Sequence, residues 1–166
     1  MRITIGACFV LALLAAGCAT TTPAVPVQGT ATDLSRLTGE WSGEYVGDSG
    51  GRRGVITFKL AAGADTAQGD VIMFPQQRYT TRLVEDPHKT GSMPMPQGLS
   101  IRFVRTTGGM VSGQLDPYTD PECQCTVTTT FEGRLKGDVI EGHYNSLRDG
   151  RTDPLRGEWK VKRRRS

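Results

Sequence analysis

The sequence predicts an all-β protein: a single antiparallel up-and-down β-barrel of about eight strands, preceded by a signal peptide and a disordered tether. Three observations carry this. From Leu37 onward, apolar residues recur at every second position in short runs. Gly or Asp-Gly marks most of the breaks between runs, as antiparallel hairpins require. The tripeptide Gly-Glu-Trp occurs twice, at Gly39-Glu40-Trp41 in the first run and Gly157-Glu158-Trp159 in the last. A barrel pairs its first strand with its last and so removes both sheet edges.

The runs follow one another in order. LTGEWSGEYVG puts Leu37, Trp41 and Tyr45 on one parity, separated by the small Gly39 and Gly43. GVITFKLAAG sets Ile56, Phe58 and Leu60 against Thr57 and Lys59. GDVIMFP is a short apolar strand ended by Pro75, and YTTRLV reads as another. GLSIRFVR gives Leu99, Ile101 and Phe103, and MVSGQL follows Gly108-Gly109. CTVTTTFEGRLKG gives Val127, Thr129, Phe131 and Leu135. DVIEGHYNSL gives Ile140 and Tyr144, and PLRGEWKVKR gives Leu155, Trp159 and Val161. No run after the leader sustains helical periodicity. Gly at 21 of 166 residues and aromatics at 7% agree with many turns between short strands.

Residues 1–17 read as a signal peptide: Arg2 is a small positive start, and Ile3 to Ala16 form an apolar stretch too short to span a bilayer comfortably. Ala15-Ala16-Gly17-Cys18 resembles the lipobox of bacterial lipoproteins, with Ala15 where that family usually has Leu. The resemblance implies cleavage before Cys18 and acylation of its thiol and new amino group. Several acyl chains anchor stably where one is marginal. Ala19 after the cysteine resembles outer-membrane sorting, facing the periplasm. An ordinary secreted protein cut near Gly17 or Ala19 is the alternative. Residues 18–33, rich in Thr, Ala and Pro without large aromatics, read as a flexible tether, and residues 34–166 as the domain.

Gly39-Glu40-Trp41 resembles the Gly-x-Trp of calycins, the lipocalin and avidin superfamily. In that family the Trp packs near a basic residue of the last strand, a role the resemblance offers to Lys160, Lys162 or Arg163. FEGRLKGDVIEGHY resembles the Gly-spaced hairpins of small bacterial lipoprotein barrels. Trp41, Tyr45 and Trp159 are the candidate ligand or barrel-end residues. A barrel of about eight strands holds one small ligand or none. Inward Leu, Ile, Phe and Trp would fill it for a structural role; inward Gly43, Gly113 and Gly142 would leave space.

Residues with chemical potential are few. Cys123 and Cys125 read first as an intramolecular disulfide, which an exported compartment permits. Residues two apart in a strand are too far apart for that bond, so a turn is required. Free thiols, an intermolecular bridge or a metal site are the alternatives. His88, Met93 and Met95 with the two cysteines make a weak set for Cu(I); no cofactor is expected. Ser49 in Gly47-Asp48-Ser49-Gly50-Gly51 resembles the nucleophile segment of chymotrypsin-like proteases, but His88 and His143 both follow it, against that family's order. Glu85-Asp86 and the Asp120, Glu122 pair read as solvated turn residues. Net charge is +3, which makes no general case for nucleic acid. Lys162, Arg163, Arg164 and Arg165 read either as contacts to anionic lipid or as a solubilising end. The expectation is a non-catalytic envelope lipoprotein binding a small apolar molecule or an envelope partner.

Overall fold

The computed structural model describes residues 24–48, 52–74 and 95–165. Ten strands and one short helix follow in the order β1 (Ala24–Gln28), α1 (Ala31–Leu37), β2 (Gly39–Gly47), β3 (Arg53–Leu60), β4 (Thr66–Phe74), β5 (Gln97–Thr107), β6 (Met110–Leu115), β7 (Tyr118–Thr119), β8 (Thr126–Lys136), β9 (Val139–Arg148) and β10 (Leu155–Arg163). The eight long strands β2 to β6 and β8 to β10 pair antiparallel in sequence order, and β10 returns to β2. Both Gly-Glu-Trp segments lie in this closing pair, where Trp159 faces Tyr45 and Arg163 faces Trp41. The fold is thus a closed up-and-down barrel with no open edge between first and last strands.

Alternation explains each wall. Trp41 and Tyr45 on β2, Phe58 and Leu60 on β3, Val71 and Met73 on β4, and Trp159 and Val161 on β10 are buried, while Ser42, Glu44, Lys59, Ile72 and Lys160 face outward. The β5–β6 hairpin turns on Gly108 and Gly109, both at positive φ (59° and 81°), the two-residue geometry whose twist matches paired strands. A bulge between Ile101 and Phe103 then corrects one expected inward position. The extra residue shifts the parity, so Val104 and Thr106 are buried and Phe103 is only partly so.

The N-terminal boundary also differs from the sequence expectation. Ala24–Gln28 is not tether but a strand, wedged where β4 and β5 diverge. It pairs antiparallel with β4 (Ala24 with Gln68) and parallel with β5 (Val27 with Val104). Val25 and Val27 enter the core, while Pro26 stands between them without a backbone N–H to satisfy. The seven-residue helix α1 was likewise not expected. Thr30 caps it by accepting from the Asp33 N–H at 3.2 Å, and Asp33 accepts from the Gly108 N–H at 3.0 Å. Two turns are too short to show helical periodicity. The YTTRLV segment, Cys18, Ser49, His88 and Met93 lie outside the described residues.

Candidate functional site

Among the described residues, one end of the barrel is closed and the other forms a mouth. At the closed end α1 crosses the opening and sets Leu37 over Trp41, which donates its indole N–H to the Leu37 carbonyl at 2.8 Å. The Arg163 guanidinium lies 4.2 Å from the Trp41 ring centroid. It also donates to the carbonyls of Thr38 and Arg36 (the latter 2.7 Å) and pairs with Asp138 at 3.0 Å. These carbonyls belong to the end of α1, where a cation is favoured. Of the three basic residues considered, Arg163 therefore packs on Trp41. The basic tail is not one surface unit: Arg163 is engaged, whereas Lys162, Arg164 and Arg165 stay exposed. A planar fork holds these acceptors together and an ammonium does not. Arg163→Lys is expected to cost about 2 kcal/mol in urea unfolding; unchanged stability would show the fork to be dispensable.

Between closed end and mouth lies a cavity of about 300 Å³. Its wall is mostly apolar and includes Trp41, Ile56, Val71, Leu99, Phe131 and Trp159. That volume sits at the low end of small-molecule pockets. Trp159 does not plug an end as expected. It stands at mid-height, packs edge-on against Phe131 at 5.7 Å, and donates to the Glu132 and His143 carbonyls at 3.1 Å each. Nor do Gly43 and Gly142 make the space. A Cβ at either would strike the backbone of the neighbouring strand, so these glycines allow close strand approach.

Polar groups gather toward the mouth. Thr129 and Ser146, both buried in the wall, share one hydrogen bond at 2.7 Å, which leaves one hydroxyl proton of the pair to spare. Tyr45 and Tyr144 meet edge to face at 5.5 Å. Burial pushes both phenols up, Tyr144 to about 12, with further push from Tyr118. Both therefore stay neutral O–H groups at physiological pH. A phenol raised in the fold stabilises fully below the ordinary value of about 10 and loses that contribution as pH climbs through the folded value. Ultraviolet titration is expected to show Tyr144 ionising late, together with unfolding. Arg148 lines the cavity with its Nε–H buried and without a partner among the described residues.

One side of the mouth is braced by an ion pair that the sequence did not disclose. Arg52 on β3's approach reaches Asp120 at 2.5 Å and Glu122 at 3.3 Å. The Asp120 side chain is 1% exposed, so it is not the solvated turn residue expected. Burial opposes its ionisation, but the Arg52 hydrogen bond and the Glu122 N–H (2.7 Å) prevail and hold the carboxyl below its ordinary value. The same turn carries Cys123 and Cys125, joined as a disulfide with Cα atoms 5.1 Å apart. The turn brings the sulfurs together: Gln124 takes a positive φ of 54°, its N–H bonds to the Asp120 carbonyl at 2.8 Å, and the Asp120 N–H bonds to the Cys125 carbonyl at 2.9 Å. Closing so small a ring removes little unfolded-state freedom. Cys123→Ser with Cys125→Ser is therefore expected to cost at most about 1–2 kcal/mol. Two free thiols in the native chain by non-reducing mass spectrometry would remove the bond from the account.

The remaining candidates among the described residues are not brought together. Met95 is 83% exposed, His143 points outward between Glu132 and Glu158, and the two cysteine thiols are consumed in their bond. Among the described residues no three His, Cys, Asp or Glu side chains cluster to hold a metal. The chain matches no protein-family model, no curated protein and no solved structure.

Proposed function

We propose that the protein is an exported lipoprotein, anchored through Cys18 in the outer membrane and facing the periplasm, whose barrel binds one small apolar molecule without catalysis. The observation that carries the binding role is the apolar cavity of about 300 Å³ open toward a polar mouth. A barrel built only as a structural element would pack this volume with side chains, because voids cost stability. The one spare hydroxyl proton of the Thr129–Ser146 pair and the Arg148 Nε–H favour a ligand with a hydrogen-bond acceptor at one end, since such donors are costly to leave unpaired. The anchor role rests on the lipobox resemblance and on the short Thr- and Pro-rich stretch that follows it.

Both tryptophans of the chain line the cavity, so they report on its contents. Adding N-phenylnaphthylamine is expected to give saturable energy transfer from tryptophan at one site per chain. Ile56→Phe and Val71→Phe, which fill the cavity from adjacent strands, are expected to weaken it together. Transfer that never saturates, or that both variants leave unchanged, would rule out interior binding. For the anchor, Cys18→Ser is expected to abolish palmitate labelling and release the protein to the soluble fraction. A wild type that takes up no palmitate contradicts it.

A further inference from the structure

We infer that the outer face of β2, β3 and β4 beside the mouth rests on the bilayer surface; this rests on the lipid-anchor reading above. Register places two outward rows side by side. Val46 stands opposite Arg53, which stands opposite Phe74, and Glu44 stands opposite Val55, which stands opposite Ile72. Val46, Val55, Ile72 and Phe74 are each 39–49% exposed. They form one apolar patch rather than scattered surface residues. The next rows toward the closed end are polar: Ser42, Thr57 and Asp70, then Glu40, Lys59 and Gln68. The apolar character is thus confined to the mouth half. Arg53 lies within it, with an aliphatic stem that suits apolar surroundings and a head that suits phosphate.

The chain's own connectivity selects the bilayer as occupant. β1 runs antiparallel to β4, with Ala24 opposite Gln68. The N-terminal end of β1 therefore points in the direction in which Asp70, Ile72 and Phe74 follow on β4. Five residues lie between Cys18 and Ala24, so the six steps reach at most about 20 Å. Ile72 and Phe74 lie roughly 13 and 20 Å from Gln68 along the strand. An acyl anchor on that tether holds the barrel so close to the membrane that this face meets it. The basic Lys162, Arg164 and Arg165 are at the opposite, closed end. Contact at the mouth half would let an apolar ligand pass between bilayer and cavity with a short path through water.

The test uses the full acylated chain in vesicles of phosphatidylethanolamine and phosphatidylglycerol, some lipids bearing a nitroxide near the headgroup. A nitrobenzoxadiazole label is placed singly by Val55→Cys, Ile72→Cys, Arg134→Cys on the far wall, or Arg165→Cys at the tail. Labels at Val55 and Ile72 are expected to shift blue and lose most of their emission, while those at Arg134 and Arg165 keep theirs. Quenching at Arg165 alone would assign the contact to the basic tail and overturn the inference. So would quenching at no site in chains that float with the vesicles, which leaves the anchor intact. Chains that neither float nor carry palmitate would instead sink the anchor reading. A dimer in detergent whose contact shields Ile72 would assign the patch to a second copy.

Discussion

Trp41→Ala is expected to destabilise the domain by about 3–5 kcal/mol, among the largest effects of any single change. Trp41 is 1% exposed and links three parts of the closed end. Its ring packs on the core beneath Leu37, its N–H satisfies the last-turn carbonyl of α1, and its face receives Arg163. Alanine would leave a void, orphan the Leu37 carbonyl and strip Arg163 of its aromatic partner. Trp41→Phe restores most of the volume but not the hydrogen bond, so it is expected to recover more than half of the loss. Urea denaturation followed by circular dichroism measures both. A loss below about 1 kcal/mol for alanine would mean that this end is not closed by Trp41.

Asp120→Ala is expected to cost about 3 kcal/mol, the lower part of the range for breaking one side of a buried pair. Arg52 keeps a second carboxylate, Glu122 at 3.3 Å, which softens the loss. Arg52→Ala is expected to cost more, because Asp120 would remain charged in a site where one of its oxygens already lacks a partner among the described residues. The sign with pH follows from the lowered carboxyl. Its contribution is complete above the ordinary aspartate value near 4 and vanishes as pH falls through the lower folded value. Asp120→Asn should therefore flatten the acid limb of the stability curve. An unchanged acid limb would show that the pair is not what pH weakens.

Much of the barrel is legible in the sequence because its signals are local. Alternation in Ile56-Thr57-Phe58-Lys59-Leu60 and the repeated Gly-Glu-Trp point to the strands and to the closure of β10 on β2. β1 was hidden for a physical reason: Val25 and Val27 alternate, but Pro26 and the neighbouring Thr and Pro make the segment read as a spacer. It becomes a strand only because β4 and β5 diverge there and leave their edges to be filled. The bulge at Ile101 and Phe103 depends on the partner strand, so alternation alone puts Phe103 on the wrong face. The site was less legible than the fold. Trp41 and Tyr45 are local aromatics on a visible strand. Arg52 and Asp120 are 68 residues apart and meet only through the closure of the barrel. No spacing rule joins such a pair, and Pro on either flank of the Asp116–Pro121 turn argued for solvent.

The proposed binding role requires an apolar molecule to enter the barrel rather than adhere to its surface. Neighbouring residues on β3 and β4 separate the two outcomes. Ile56 and Val71 line the cavity, whereas Val55 and Ile72 face outward one residue away. Methyl-resolved nuclear magnetic resonance of the domain, titrated with N-phenylnaphthylamine, reads each pair directly. Ile56, Val71 and Leu99 methyls should shift in saturable fashion while Val55, Ile72 and Leu147 stay in place. Shifts confined to Val55, Ile72 and Leu147, or no saturable shift inside, would contradict the account.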